Sequence, residues 1–401
     1  MGLCSSSSST DNMGSTFSSV EDSDGTAADV GGRRGRSGGG RNQRYAGSSS
    51  DDGGGADDSS SSFPTSPHSE PVNCVLPAPT SANANALPEA CFTCSDDRAV
   101  AVTATVAPYT TAPTVWKGHH KRSVSCMVHG VRTDVLYSCA RDLTIRQWRR
   151  SAAASSSSPC TQVIEDGHDL NITALALSGD ETLLCSGSRD TAVCLWDVAT
   201  GERIVRKKTS RNLVTCMAWV KGGGGGEDAQ VVVQGGEDLK LRTWDMRDRS
   251  MTPSQTMSGY VYFPLCIDVS ADGRYIATGS KGFDGVGCEV RVWDRRQGQL
   301  LCEMQGHRQS TVGCAFLHGG HAQVASVSKD QSIRLWSVAG DGVGREVFND
   351  VGCTGGTFTC MSAAVTGTKT RLYTGSSSGF SIYDVAAGNE NLSAEHVQSW
   401  V

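Results

Sequence analysis

Residues 67–401 are predicted to be all-β and to fold as a seven-bladed β-propeller, behind a disordered tail at 1–66. Three observations lead there. A pattern recurs along the chain: a Gly-His turn, two short apolar runs, an Asp turn, then Trp-Asp. Its cleanest copy runs from Gly167-His168 through "CSGSRDTAVCLWD" to Asp197. The Trp position repeats at Trp148, Trp196, Trp244, Trp293 and Trp336, with Tyr383 standing in once, so the period is between 43 and 49 residues. A fixed period of that size marks a radial repeat of four-stranded units. Finally, residues 1–66 are Ser, Gly and Asp with almost no aliphatic content. Such a segment cannot bury enough apolar surface to offset its ordering entropy.

The repeats justify themselves in order. The first is degenerate: His68 precedes Val72 by four residues, as His168 precedes Ile172. "CSDDRAVAVT" then aligns with "GSRDTAVCLW", placing Asp97 in the Asp position and Thr103 in the Trp position. The second carries His119, Ser138, Asp142 and Trp148. The third carries His168, Ser186, Asp190 and Trp196, with strands expected at 172–177, 183–187 and 191–196. The alternation of Ala192, Cys194 and Trp196 against Val193 and Leu195 suits a strand covered on both faces. The fourth keeps Asp238 and Trp244 but has Gln234 in the Ser position and no His. The fifth replaces its tight turn with "SKGFDGVGCE" at 280–289. The sixth is complete again, with His307, Ser326, Asp330 and Trp336. The seventh shortens its turn to "SSSG" at 376–379. Its outer strand is expected at 396–401 rather than from a segment near Phe63.

Composition narrows the function. The formal net charge is −6, and the tail, with five Arg against nine acids, supplies −4 of it. The ring is near neutral and is not expected to bind nucleic acid. The "GGRRGRSGGGR" stretch at 31–41 reads as a spacer. Sixteen cysteines without a signal peptide or a transmembrane run point to a reducing, intracellular setting. The single CxxC, Cys91 to Cys94, falls in an expected strand with no second ligand pair, so no metal and no cofactor are expected. No phosphate loop, metal cluster or exposed nucleophile beside a base appears, and no small-molecule substrate or enzymatic activity is expected.

The chain opens Met1-Gly2-Leu3-Cys4-Ser5-Ser6, which fits the N-myristoylation signal with Gly2 as acceptor. One acyl chain binds membranes only marginally. Palmitoylation of Cys4 would supply the second, making the protein a peripheral lipoprotein of the cytoplasm.

The repeats resemble WD40 repeats. That resemblance implies that the His, Ser, Asp and Trp of one blade form a buried hydrogen-bonded chain, a structural tetrad rather than a catalytic triad. In a propeller the d–a and b–c loops share one face and the a–b and c–d loops the other. The low-complexity inserts at 151–158 and 222–226 fall on the second face. The 280–289 loop with Phe283 and Asp284 falls on the first, with Arg211, Asn212 and Tyr260, and this face is the expected partner surface. Two strands end in W-D-x-R, at Arg247 and Arg296, resembling the motif by which some WD40 proteins dock onto a cullin-RING ubiquitin ligase as substrate receptors. More specifically, "GSRD…LWDVATGE", "SRNLVT" (210–215) and "KGFDGVGCEVRVWDRRQ" (281–297) resemble the WD repeat-containing protein 31 family. This implies a protein-interaction scaffold in ciliary or flagellar membrane trafficking, located at the cilium or its base, with trafficking machinery as partner.

Overall fold

The computed structural model describes residues 64–78, 87–150, 158–209, 211–220, 230–317, 323–338, 344–351, 356–366, 369–387 and 392–401. Gly2 and Cys4, the 151–157 insert and the glycine run at 222–226 lie outside them. The described residues form seven four-stranded antiparallel sheets, each taken from consecutive strands a to d. The blades span 72–116, 124–164, 172–208, 214–257, 264–304, 311–351 and 358–400. Strand a of each blade lies against strand a of the next, and blade 7 lies against blade 1, so the sheets close into a ring. The expected seven-bladed propeller is the fold.

Both faces of a blade are covered, and the sequence alternation follows from that. In strand c of blade 3, Ala192–Asp197, Val193 and Leu195 pack with Met217, Val232 and Trp244 of blade 4. Cys194 and Trp196 pack the other way, with Tyr137 and Ile145 of blade 2. A strand buried on both sides has no polar face, which is why its apolar run is continuous. The CxxC obeys the same rule. Cys91 packs with Tyr373 and Trp400 of blade 7, and Cys94 with Val124 and Met127 of blade 2.

Every strand a carries a bulge after its first residue. The carbonyl of that first residue accepts a side-chain bond from the preceding blade at six of seven seams. Asn73 Nδ2 donates to Val124 O (2.8 Å), and Thr173 Oγ1 to Val214 O (2.7 Å). Cysteines serve the other four: Cys139 to Ile172 O (3.7 Å), Cys216 to Pro264 O (4.0 Å), Cys266 to Thr311 O (3.8 Å) and Cys360 to Val72 O (3.8 Å). Thr359 joins Cys360 at the last of these. A thiol is a weak donor but a compact one, so it satisfies the carbonyl without opening the core. At the seam between blades 6 and 7 the corresponding residue is Gly313, and its missing side chain admits Met361.

The ring closes as the sequence suggests. Leu392–Trp400 pairs with Phe380–Ala387 as strand d of blade 7. Trp400 stacks on Phe380 with ring centroids 4.4 Å apart and planes 7° from parallel. Gly379 is required beneath them, because a Cβ there would lie 1.8 Å from Trp400 O. The start of the ring also contributes: Ser66 N donates to Val401 O and Val401 N to Pro64 O. Trp400 is fully buried in this closure. Trp400→Ala is expected to cost about 3–5 kcal/mol, read as a lowered urea midpoint of unfolding.

Candidate functional site

The face carrying the d–a and b–c loops is fixed by the turn aspartates. Asp142 accepts from its own turn at Thr144 N (3.1 Å) and from the d–a loop at Lys121 N (2.8 Å). Asp190 does the same with Ala192 N and Asp169 N, both at 2.8 Å. Asp330 does so with Ser332 N (2.9 Å) and Arg308 N (2.7 Å). One carboxylate thus ties two loops together. The residue after the turn Asp takes a left-handed conformation without being glycine: Arg98, Leu143, Thr191, Leu239 and Gln331 have φ between 63° and 69°.

Beneath each Asp lies the buried chain. Trp196 Nε1 can only donate, and it donates to Ser186 Oγ (2.8 Å). The Ser hydroxyl then donates to His168 Nε2 (2.8 Å), leaving Nδ1–H for Asp190 (3.2 Å). Blade 6 repeats it with Trp336, Ser326 and His307 (2.8 and 2.7 Å). There Ser332 Oγ lies 2.9 Å from His307 Nδ1, closer than the 3.4 Å to Asp330. Blade 1 holds a shortened form, with His68 between Thr93 Oγ1 (2.8 Å) and Asp97 (3.0 Å). Thr103 stands opposite Cys91, where the complete blades have Trp.

Blade 2 corrects one assignment. The tetrad histidine is His120, not His119: Nε2 is 2.7 Å from Ser138 Oγ and Nδ1 is 3.1 Å from Asp142. His119 is an extra residue after Gly118, half-buried with its ring edge-on to Trp148 at 5.0 Å. The register is set from the strand, not from the glycine. His68, His120, His168 and His307 each stand four residues before strand a.

The same count explains Tyr260, four residues before Pro264. It was expected on the partner surface, but it is buried, with its hydroxyl 2.8 Å from Thr278 Oγ1 and its ring against Trp293 at 5.5 Å. It fills the His position of blade 5. Asn212 is likewise removed from the surface. It is fully buried, accepting from Gln234 Nε2 (2.6 Å) and Arg242 Nη1 (3.0 Å), while Trp244 Nε1 donates to Gln234 Oε1 (3.1 Å). Arg242 also pairs with Asp238. Blades 4 and 5 therefore replace the tetrad with other buried networks.

What remains exposed is concentrated at blade 5. Residues 283–286 form a tight hairpin, with Phe283 N to Val286 O at 3.0 Å and the return bond at 2.9 Å. Asp284 (φ 50°) and Gly285 (φ 82°) make its turn. The loop lacks the usual Asp and is held by the next blade instead: Gly285 N donates to Arg308 O (3.0 Å), and Ser310 Oγ to Gly282 O (3.1 Å). Thr311 Oγ1 donates to Cys288 O (2.7 Å). Phe283 is 51% exposed, Val286 58% and Val261 54%. Tyr262 meets Phe283 edge-on at 6.1 Å, and Lys281 Nζ lies 5.1 and 5.7 Å from the Phe263 and Phe283 rings. An apolar patch held on a pinned loop, with an ammonium beside it, is suited to protein contact. Sequence reasoning found Phe283 and Asp284 but missed Val261, Tyr262, Phe263 and Lys281. The "YVYF" run at 260–263 next to the turn was the available signal.

The family model for "WD domain, G-beta repeat" matches residues 111–149, 158–197, 251–294 and 298–337. These four stretches are WD40 repeats. Each match begins at strand d of one blade and ends with strand c of the next, covering blades 2, 3, 5 and 6. Blades 1, 4 and 7, with Thr103, Gln234 and Tyr383, are those the model does not match. The chain is 27% identical over 264 residues to nuclear distribution protein PAC1 of Arthroderma benhamiae, covering 58% of this chain and 53% of that protein. It is 26% identical over 201 residues to the periodic tryptophan protein 2 homolog of Dictyostelium discoideum, 49% of this chain and 20% of that one. The chain thus spans about half, or less, of the length of these relatives. The solved structure of U3-55K superposes with a TM-score of 0.63 at 17% identity, covering 77% of this chain and 89% of that one, which speaks to the fold.

On the opposite face of the ring, Arg247 is half-exposed and engaged by Asp245 of its own motif (2.6 Å). Arg296 is exposed, and its backbone N donates to Asp294 (2.9 Å). Arg211, on the d–a loop of blade 4, is exposed.

Two measurements test the buried chains. Asp190→Ala leaves His168 Nδ1 and two backbone N–H groups unpaired and should cost about 1–3 kcal/mol for each group not reached by water. Burial lowers the pKa of His120 and His307. Burial pushes Asp142, Asp190 and Asp330 up, but the bonds from His120, His168 and His307 and from backbone N–H groups outweigh it and hold them far below the ordinary carboxylate range. The unfolded chain therefore binds more protons than the folded one below about pH 6.5, and more again below about pH 4. Thermal midpoints should fall on acidification in these two steps. Phe283→Ser should change stability by less than about 0.5 kcal/mol.

Proposed function

We propose that this protein is a noncatalytic adaptor, held at a membrane by acyl chains on Gly2 and Cys4 and serving ciliary or flagellar trafficking, with trafficking machinery as its partner. The observation that carries the adaptor role is the apolar patch of Val261, Phe283 and Val286, kept in water by a hairpin that two blades pin. A half-exposed apolar side chain on a pre-ordered loop binds with little ordering cost. The Met-Gly-Leu-Cys-Ser-Ser start supports the anchor, since two acyl chains bind stably where one does not. The resemblance of 281–297 to the WD repeat-containing protein 31 family supports the ciliary setting. The nuclear distribution proteins among the relatives support a role in positioning cell components.

Fractionation and imaging of the full chain test the anchor. Wild type should be membrane-bound, and Gly2→Ala and Cys4→Ser should both shift it to the soluble fraction with unchanged thermal midpoints. Equal solubility of all three refutes it. Proximity labelling at that membrane, compared between wild type and Phe283→Asp, tests the surface. Neighbours lost by at least fivefold support it, and an identical set refutes it. The second reading, a cullin-RING substrate receptor, draws on the exposure of Arg296 and Arg247 on the other face. It requires a cullin to co-purify and to be lost on Arg247→Ala with Arg296→Ala.

A further inference from the structure

The inner wall of the ring holds an unusual number of thiols, and their placement follows one rule. Two residues into strand a, Cys74, Cys126, Cys216, Cys266 and Cys360 occupy equivalent positions in blades 1, 2, 4, 5 and 7. In blades 4, 5 and 7 the residue opposite on strand b is glycine: Gly235, Gly279 and Gly375. A Cβ at those glycines would meet the thiol at 2.7, 2.7 and 2.5 Å, so the sulfur lies over bare backbone. In blade 5 that seat turns Cys266 toward blade 6. There its Sγ lies 3.5 Å from Sγ of Cys314, on the adjoining strand a, Thr311–Phe316. Cys314 is buried, while Cys266 is only partly so. The two sulfurs are in van der Waals contact, and a closure of about 1.5 Å would bring them to bonding distance.

We infer that Cys266 and Cys314 are a peroxide-oxidisable pair that forms a disulfide between blades 5 and 6. The partly exposed Cys266, as thiolate, attacks the O–O bond of a hydroperoxide. It becomes a sulfenic acid and releases the alcohol, or water from hydrogen peroxide, once the leaving oxygen takes up a proton. The Cys314 sulfur then attacks the Cys266 sulfur. The S–S bond forms, the S–O bond breaks, and the hydroxyl leaves as water with the Cys314 proton. The pair loses two electrons and the peroxide gains them. The position couples the pair to the exposed hairpin: the Cys266 thiol donates to Thr311 O (3.8 Å), and Thr311 Oγ1 holds Cys288 O at the base of the 281–289 loop (2.7 Å). Oxidation removes the first of these bonds. The inference does not depend on the membrane or the partner proposed above.

The test uses the full-length chain, reduced, exposed to hydrogen peroxide, then alkylated and digested without reductant. The expected product is a linked Cys266–Cys314 peptide at least tenfold above the untreated sample and absent from Cys266→Ser. In Cys314→Ser the sulfenic acid has no resolving thiol, so dimedone should label Cys266 at least tenfold more than in wild type. Circular dichroism and the thermal midpoint confirm that each variant remains folded. Cys74 with Cys94, and Cys126 with Cys139, stand opposite one another within single sheets and serve as internal comparators. Linkage confined to those pairs, or an unlabelled Cys266 in folded Cys314→Ser, overturns the inference.

Discussion

In blades 1, 2, 3 and 6 the d–a/b–c face depends on one turn carboxylate. A turn Asp that accepts from its own turn and from the neighbouring loop fixes the two loops relative to each other, and the buried His beneath it transmits that position to Ser and Trp. An aspartate carrying three or four good bonds can stay ionised with little water. The loops it holds are consequently fixed by polar contacts. The left-handed residue after it, even the β-branched Thr191, shows how strongly the turn is specified, since that conformation costs a non-glycine residue about 1–2 kcal/mol.

Where no Asp bridges the two loops, the structure finds another anchor. In blade 5 no Asp bridges to the d–a loop, and the expanded b–c loop is held by backbone and hydroxyl groups of the 308–311 segment instead. The result is a loop as well fixed as the others but longer, with room to display Phe283 and Val286. Blade 4 shows the opposite outcome. Its Asn212, Gln234 and Arg242 rebuild a polar network in the interior. Departure from the repeat is therefore not by itself a mark of a surface site.

The seams between blades follow a separate economy. At six of the seven seams the bulge turns a carbonyl toward the preceding blade, and small donors satisfy it: Asn, Thr and, most often, Cys. The buried thiols are thus explained as compact packing elements first. At blades 5 and 6 one such donor, Cys266, meets Cys314, whose thiol reaches back across the same seam to Ala277 O (3.5 Å).

Much of this was legible in the sequence. The period and the Trp positions determined the propeller, the blade count, the complete tetrads of blades 3 and 6 and the C-terminal strand that closes the ring, because a repeated unit must present the same side chains to each neighbour. Phe283 and Asp284 were legible as exposed because an inserted turn has no core to enter. Tertiary structure alone decided the rest. Which of His119 and His120 enters the tetrad depends on distance to strand a. Whether Asn212 and Tyr260 face water depends on an empty His position that a blade interior must fill with some polar group. The Cys266–Cys314 contact depends on strands 48 residues apart meeting side by side. A sequence states which groups need partners; only the closed ring determines which partners lie within reach.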